Sequence, residues 1–537
     1  MKAERPVSYL VDYPKPREKV GLDQKIEESS QLLLDNFAPG DLKLADDLTK
    51  DNYRVGIIPR LSPYDIPRLE GTKLVEIPKE MVEELKKERS YDLIRWNKPD
   101  RFLFKLKLAK EGFKKPVKGK SKVMKRLAKE GKNVAFDNLG VVAPTPKEER
   151  QSRTDIDTHI EVNIMGQARI PLALGSVPDV GSHLAYVTMA QAGGMVFMSR
   201  DKLLSDIGEQ AQLAEDVINT LTKMPLPKEL KPNEEQLKEF AEIKGLIAKN
   251  KKYLTKLYYK ELRQSWVNNV GAAIEAEPGR ALARVTALYE KGVRLFRIYS
   301  PEGGMEIIET IKKIREKYNG NHDLKIVAGQ IMDLQTGLKA QKAGADALFL
   351  GVAGGKQCTT AIDADLAINT ATLLHKMRGK IKIPIGIEGG GVGTHLITAF
   401  ALGASFLSKP GEIGVSWEGA GGKYIFEDEE GKYYMSYGGE ASVSAKWWKD
   451  SMDDIGRPKF VEGETGVQRV RKRKERYTLR NISMTGNIKR LRDATSNGLV
   501  FRREPSIAEL HNKPCNYIRE VTEASNAQRT AYGNTLS

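Results

Sequence analysis

Two cysteines, Cys358 and Cys515, are the chain's entire thiol content, too few for a disulfide framework or a multi-cysteine metal site. Cys358 stands in GVAGGKQCTTA, residues 351–361. Glycines at 351, 354 and 355 let the backbone pass close to a ligand and leave amide N–H groups for a phosphate or a monovalent cation. Lys356 brings a point charge two residues ahead of the thiol and Thr360 a hydroxyl two residues behind it. Nucleophilic attack by a thiolate is the chemistry such a loop offers. Its structural alternative is a small buried residue in a turn. Glu388 precedes a second glycine cluster, GGGVGT at 389–394, and Glu462 precedes Gly463; a tight turn before a helix and an ordinary loop acid are the plain readings of these. Six histidines lie without a HExxH or CxxC partner, which argues against zinc or iron.

These groups need a scaffold. From Ile170 onward, short β-branched runs alternate with helical patterns, the mark of βα units and a parallel sheet. Strands are expected at Ile170–Ser176, Gly194–Ser199, Trp266–Ile274, Val293–Ser300, Leu324–Ile331, Ala345–Val352, Ile383–Gly389 and Ala404–Lys409. Eight is the number that closes an α/β TIM barrel, (β/α)₈, whose working groups sit on the loops at the C-terminal strand ends. The sixth of these loops carries Cys358. Helices are expected over Gly304–Tyr318 and Asp333–Ala343 from apolar residues at three- and four-residue spacing. A charged helical insertion is expected at 201–264, broken at Pro225, Pro227 and Pro232. Residues 1–132 carry no legible motif and form an N-terminal extension of unknown role.

With 537 residues, 40% of them apolar and 29% charged, the chain reads as a soluble globular protein. No apolar run spans a bilayer and the N-terminus lacks a signal-peptide core, so a cytoplasmic protein without membrane contact is expected. The net charge of +16 suits phosphate-bearing partners. Two basic runs, 101–132 and 469–476, are read first as solvated faces and only second as nucleic-acid contacts.

The cysteine loop resembles the hallmark G-x-G-P-G-S-x-C-T-T-R of the IMP dehydrogenase / GMP reductase family. Further segments follow in family order. VAFDNLGVVAP at 134–144 is similar to an opening TFDDVLLVP, and SRTDIDT at 152–158 to SR-x-(D/E)-VD. PLALGSVPDVGSHLAYVTMAQAGGMVFMSRD at 171–201 resembles the first two barrel strands, and residues 268–298 and 324–331 the next three. IGIEGGGVGTHLITAFALGAS at 385–405 is similar to the IADGG segment, YYMSYGGEASVSA to YRGMGS-x-x-AM, and VEGETG at 461–466 to PEG-x-x-G. The likeness spans about residues 133–537, with 410–537 expected to hold an active-site flap and the C-terminal segment.

The resemblance implies NAD-dependent oxidation of IMP to XMP, a step of guanine nucleotide biosynthesis in purine metabolism, through a covalent bond from Cys358 to C2 of the purine. Thr360 and Glu462 would handle protons, and Arg457 is the one candidate for water activation in the flap. Glu388 would take the ribose hydroxyls. Gly355, Lys356, Gly389, Gly390 and Gly391 would hold the phosphate, Ser436, Tyr437 and Gly438 the base, and Ser176 and Asp179 would approach the nucleotide. Ser300, Glu302 and Gly351 would face NAD or NADP. Potassium is possible at the backbone of Ala353, Gly355 and Cys358, and a homotetramer is implied. The sequence departs from the family pattern at Tyr299, Ser300 and Pro301, where an Asp is usual, at Lys356, at Lys409-Pro410-Gly411 in place of a Gly-Ser pair, and in lacking a Tyr beside Arg457. It also lacks regulatory cystathionine-synthase-type subdomains. A GMP reductase using NADPH, and a nucleotide-binding barrel without hydride chemistry, are the alternative readings.

Overall fold

The computed structural model describes residues 71–119, 121–132, 134–142, 159–200, 207–247, 250–300, 304–318, 323–352, 357–364, 370–389, 395–419, 424–448, 453, 457–471 and 480–521. Four short strands precede the core: β1 (Thr72–Glu76), β2 (Leu139–Val141), β3 (Val162–Ile164) and β4 (Gln167–Arg169). The core is a closed barrel of β5 (Leu172–Leu174), β6 (Met195–Met198), β7 (Val270–Ile274), β8 (Leu295–Tyr299), β9 (Lys325–Ile331), β10 (Ala347–Leu350), β11 (Ile385–Glu388) and β12 (Phe406–Ser408). All eight run parallel in chain order, and β12 pairs back onto β5. Helices cover the barrel outside and side chains fill it, so the strands are apolar on both faces rather than alternating. Within it, the Phe349 ring meets Phe197 and Phe406 edge to face at 5.8 and 5.1 Å.

Each expected strand contains an observed one, but the third begins later, at Val270. Trp266 belongs to the helix Lys251–Val267, where Leu254, Tyr258, Leu262 and Trp266 form a buried stripe at four-residue spacing. The helices expected at 304–318 and 333–343 occur at Glu306–Lys317 and Leu334–Ala343, the second capped by Asp333 accepting from Thr336 N at 2.8 Å. The charged insertion forms helices Ile207–Lys223, Glu234–Lys244 and Lys251–Val267, with the three prolines between the first two.

Residues 71–132 are tied to the rest at several points. Helix Lys79–Trp96 packs on Met484–Arg502, and helix Pro99–Glu111 on Glu234–Lys244. The Trp266 indole donates to Asn97 at 2.9 Å. Strand β1 is the outer strand of a second sheet, followed by β13 (Tyr424–Asp428), β14 (Tyr433–Gly438), β15 (Thr465–Arg471) and β16 (Arg480–Asn481). Several cations of the first basic run have acidic partners: Lys107 with Glu239, Lys114 with Glu111 and Glu509, and Arg126 with Glu130 and Glu520. No helix among the described residues is long and apolar enough to cross a membrane.

Glu418 is buried at the start of the helix Met484–Arg502, accepting from Met484 N at 2.8 Å while its other carboxyl oxygen is buried without a partner. Burial raises its pKa to about 7, against the opposing pull of the Met484 amide and Arg89. The folded protein therefore holds a proton that the unfolded chain releases near pH 4.5, and stability should fall as pH rises through the window from that value to about 7. The fall should total roughly 3 kcal/mol at most. Glu418→Gln keeps an acceptor for Met484 and should flatten the decline. Urea unfolding of both proteins at pH 5 and pH 8 measures it, and an equal decline in the two would remove the assignment.

Candidate active site

Gly351, immediately after β10, has φ +123°, and an ideal Cβ there would lie 2.0 Å from the Glu388 carbonyl oxygen. Only glycine lets the ends of β10 and β11 approach this closely while the chain leaves in that conformation. After the loop, Gln357 to Thr359 pair with residues 462–464: Thr359 N donates to Glu462 O at 2.9 Å, and Glu464 N to Gln357 O at 2.8 Å. Glu462 N in turn donates to Ala441 O at 3.1 Å. Gly463 thus bridges Cys358 on one side and Ser442 on the other.

This backbone seam brings Cys358 and Thr360, two positions apart, to Glu462, 102 positions beyond the threonine. The half-buried Cys358 thiol donates to Thr360 Oγ1 at 3.1 Å, and the Thr360 hydroxyl donates to Glu462 Oε2 at 2.7 Å. The arrangement is directional: one hydroxyl accepts from the thiol and donates to a carboxylate, so a proton can pass from sulfur to Glu462.

A second cluster lies at the C-terminal ends of the barrel strands. Glu388 Oε1 accepts from Arg297 Nη1 at 2.9 Å and Ser408 Oγ at 3.1 Å. Its Oε2 accepts from Gln330 Nε2 at 2.8 Å and from Arg297 Nη2. Burial pushes the Glu388 carboxyl upward, but the Arg297 guanidinium, with Gln330 and Ser408, outweighs it and holds the group below its usual value. Ser176 is buried with its hydroxyl 3.4 Å from Arg297 Nη1.

Asp179 Oδ2 accepts from Gly438 N at 2.6 Å, tying the first barrel loop to β14. Ser436 and Tyr437 are buried at the end of β14, and a Cβ on Gly411 would meet the Tyr437 ring at 2.9 Å. Lys409 is buried and donates to Glu412 at 2.9 Å. Arg457 pairs with Asp453 at 2.7 Å and lines a cavity of about 520 Å³ with Val443, Lys459 and Phe460. Gly389 turns with φ 58°. Ser300 is buried and exchanges backbone bonds with β9, its N donating to Gly329 O and its O accepting from Gln330 N, each at 3.0 Å. Glu302, Ala353, Gly355, Lys356, Gly390 and Gly391 lie outside the described residues.

Sequence reasoning passed over Arg297, Gln330, Ser408 and Arg200. A signal existed for three of them: Arg297 interrupts the apolar run LFRIY, Gln330 interrupts KIVAGQI, and Arg200 ends MVFMSR. A charged or amide group in a strand buried on both faces needs a partner inside the barrel.

Residues 133–515 match the IMP dehydrogenase / GMP reductase domain. The chain belongs to the IMP dehydrogenase / GMP reductase family. It is 25% identical over 320 residues to the inosine-5′-monophosphate dehydrogenase of Cryptosporidium parvum, covering 59% of this chain and 76% of that protein. The enzymes of the same name from Pasteurella multocida and Aquifex aeolicus are 32% and 30% identical over 181 and 196 residues. The alignments cover 33% and 36% of this chain and little more than a third of each of those two proteins, 36% and 39%. As a member of this family the chain is an IMP dehydrogenase-like oxidoreductase.

The contact beneath the cysteine loop is open to test. Gly351→Ala would force a side chain against the Glu388 carbonyl at a left-handed φ, which should cost at least about 3 kcal/mol in urea unfolding. A loss below about 1 kcal/mol would show that the loop leaves β10 by another path.

Proposed function

We propose that this chain oxidises IMP to XMP with NAD, using Cys358 as nucleophile. The thiol–hydroxyl–carboxylate relay is the observation that carries the reading. In it, the Cys358 sulfur adds to C2 of the purine as its proton passes through Thr360 toward Glu462. The hydrogen on C2 leaves with its electron pair. A bound nicotinamide supplies the acceptor for that hydride. Glu462 gives up that first proton to solvent; water then adds at C2 as Glu462 takes its proton through Thr360, and when the C2–S bond breaks to release XMP this proton returns to the sulfur and restores the Cys358 thiol.

The residues around the neighbouring strand ends fit a dinucleotide's diphosphate. Arg200 contacts the Tyr299 carbonyl at 3.4 Å, and its Nε is buried without a partner, leaving a cationic donor to spare. Arg200 and Ser300 would hold that group. The Cys358 loop backbone would take a potassium ion, Ser436 to Gly438 would line the base, and Ser176 and Asp179 would flank the nucleotide. The catalytic unit would be residues 133–537, with 201–264 as an insertion, 410–537 as flap and C-terminal segment, and a homotetramer as the assembly.

Arg457 favours a second reading. Its guanidinium is engaged by Asp453, so among the described residues of the flap no dedicated water-activating pair stands. A GMP reductase needs none, and the same relay would give its proton to departing ammonia while NADPH is consumed.

Cys358→Ser should abolish turnover and leave IMP affinity within a few-fold, because a hydroxyl is a far weaker nucleophile near neutral pH. Activity retained above a few per cent would exclude covalent catalysis here. Glu462→Gln should slow the step it serves by about 10²- to 10⁴-fold. In rapid-mixing absorbance with IMP and NAD, the NADH burst should persist and the following steady phase should slow. NADPH consumption with GMP, and silence with IMP, would instead select the reductase.

A further inference from the structure

The family resemblance assigns Glu388 to the sugar hydroxyls of a nucleotide. A carboxylate offers about four lone-pair directions, and here four donors from within the chain meet its two oxygens. Oε1 receives Arg297 Nη1 and Ser408, and Oε2 receives Arg297 Nη2 and Gln330. Arg297 has no room to swing away. Its side chain is fully buried, with the Phe349 ring 4.4 Å and the Tyr299 ring 4.9 Å from the guanidinium carbon. A ribose that claimed both oxygens of Glu388 would strip a buried cation of its counter-ion, which costs more than two hydroxyl hydrogen bonds return.

We propose, on the reading that this pocket takes a purine nucleoside monophosphate, that Arg297 occupies on Glu388 the place of the sugar hydroxyls, so that the site does not distinguish ribonucleotides from 2′-deoxyribonucleotides. Two further groups agree with this. Arg297 Nε and Gln330 Oε1 are buried without partners. They offer a single donor and a single acceptor, enough to hold one hydroxyl such as the 3′-hydroxyl both sugars carry. The paired carboxylate also adds no net negative charge where a phosphate must approach, because Arg297 neutralises it.

Calorimetric titration of the full-length protein with IMP and with 2′-deoxy-IMP tests the inference. The two dissociation constants should agree within about fivefold, whereas a site that reads the 2′-hydroxyl through a charge-assisted bond loses tenfold or more without it. Glu388→Gln, checked for folding by circular dichroism, should melt earlier yet keep the same ratio between the two ligands. A ribonucleotide preference beyond fivefold in the wild type, or one that Glu388→Gln selectively abolishes, overturns the inference and leaves the nucleotide reading standing. Binding of neither sugar form by folded wild-type protein overturns that reading and the inference with it.

Discussion

Backbone pairing at Gly463 decides whether the thiol, hydroxyl and carboxylate meet at all. Gly463 runs between Cys358 and Ser442, and a Cβ there would lie 2.9 Å from the Gln357 carbonyl and 3.3 Å from Ser442 N. Main-chain bonds on both sides of it set the height of Glu462 relative to Thr360. The side-chain relay then needs only short, stiff groups: a β-branched threonine bridges what the backbone has already brought together. Asp179 and the Gly438 amide brace the far end of the same seam. The chemistry rests on strand-like order imposed on loops, and that is why glycines recur at positions where two backbones nearly touch.

The buried pair of Arg297 and Glu388 poses a different constraint. Removing two charges from water is costly, and such a pair adds little net stability compared with apolar residues of the same volume. Losing one partner, however, typically costs about 3–5 kcal/mol, because the other is left charged and buried. The pair therefore acts mainly as a lock on positions. Through Ser408 and Gln330 it joins β8, β9, β11 and β12 at their C-terminal ends, the face on which a barrel carries its working loops.

Much of this was legible in the sequence, for reasons that differ by element. The barrel strands showed as short apolar runs because both their faces are covered. The start of β7 was misjudged because Trp266 and Val267 are as apolar as a strand, and only the four-residue spacing of Trp266, Leu262 and Tyr258 marks the helix. The closeness of Cys358, Thr360 and Glu462 followed from family likeness, not from spacing, since the acid is 102 positions from the threonine. The partner of Glu388 was not foreseen. A residue's type shows in a sequence, but the neighbour that neutralises it, here 91 positions away, does not. Strand β1 was invisible for a similar reason: TKLVE is short and half polar, and its partner, β13, lies some 350 residues further on.

That strand bears on how the protein meets its neighbours in solution. β1 pairs along its whole length with β13, from Thr72 opposite Asp428 to Glu76 opposite Tyr424, and Lys73 reaches Glu427 as an ion pair. Without it, β13 would present a row of bare amides and carbonyls beside the buried Ile425 and Phe426, the kind of template on which stray strands nucleate aggregates. Family similarity begins only at residue 133. Thr72–Glu76, outside the similar region, thus covers an edge that a polypeptide trimmed to that region would leave bare.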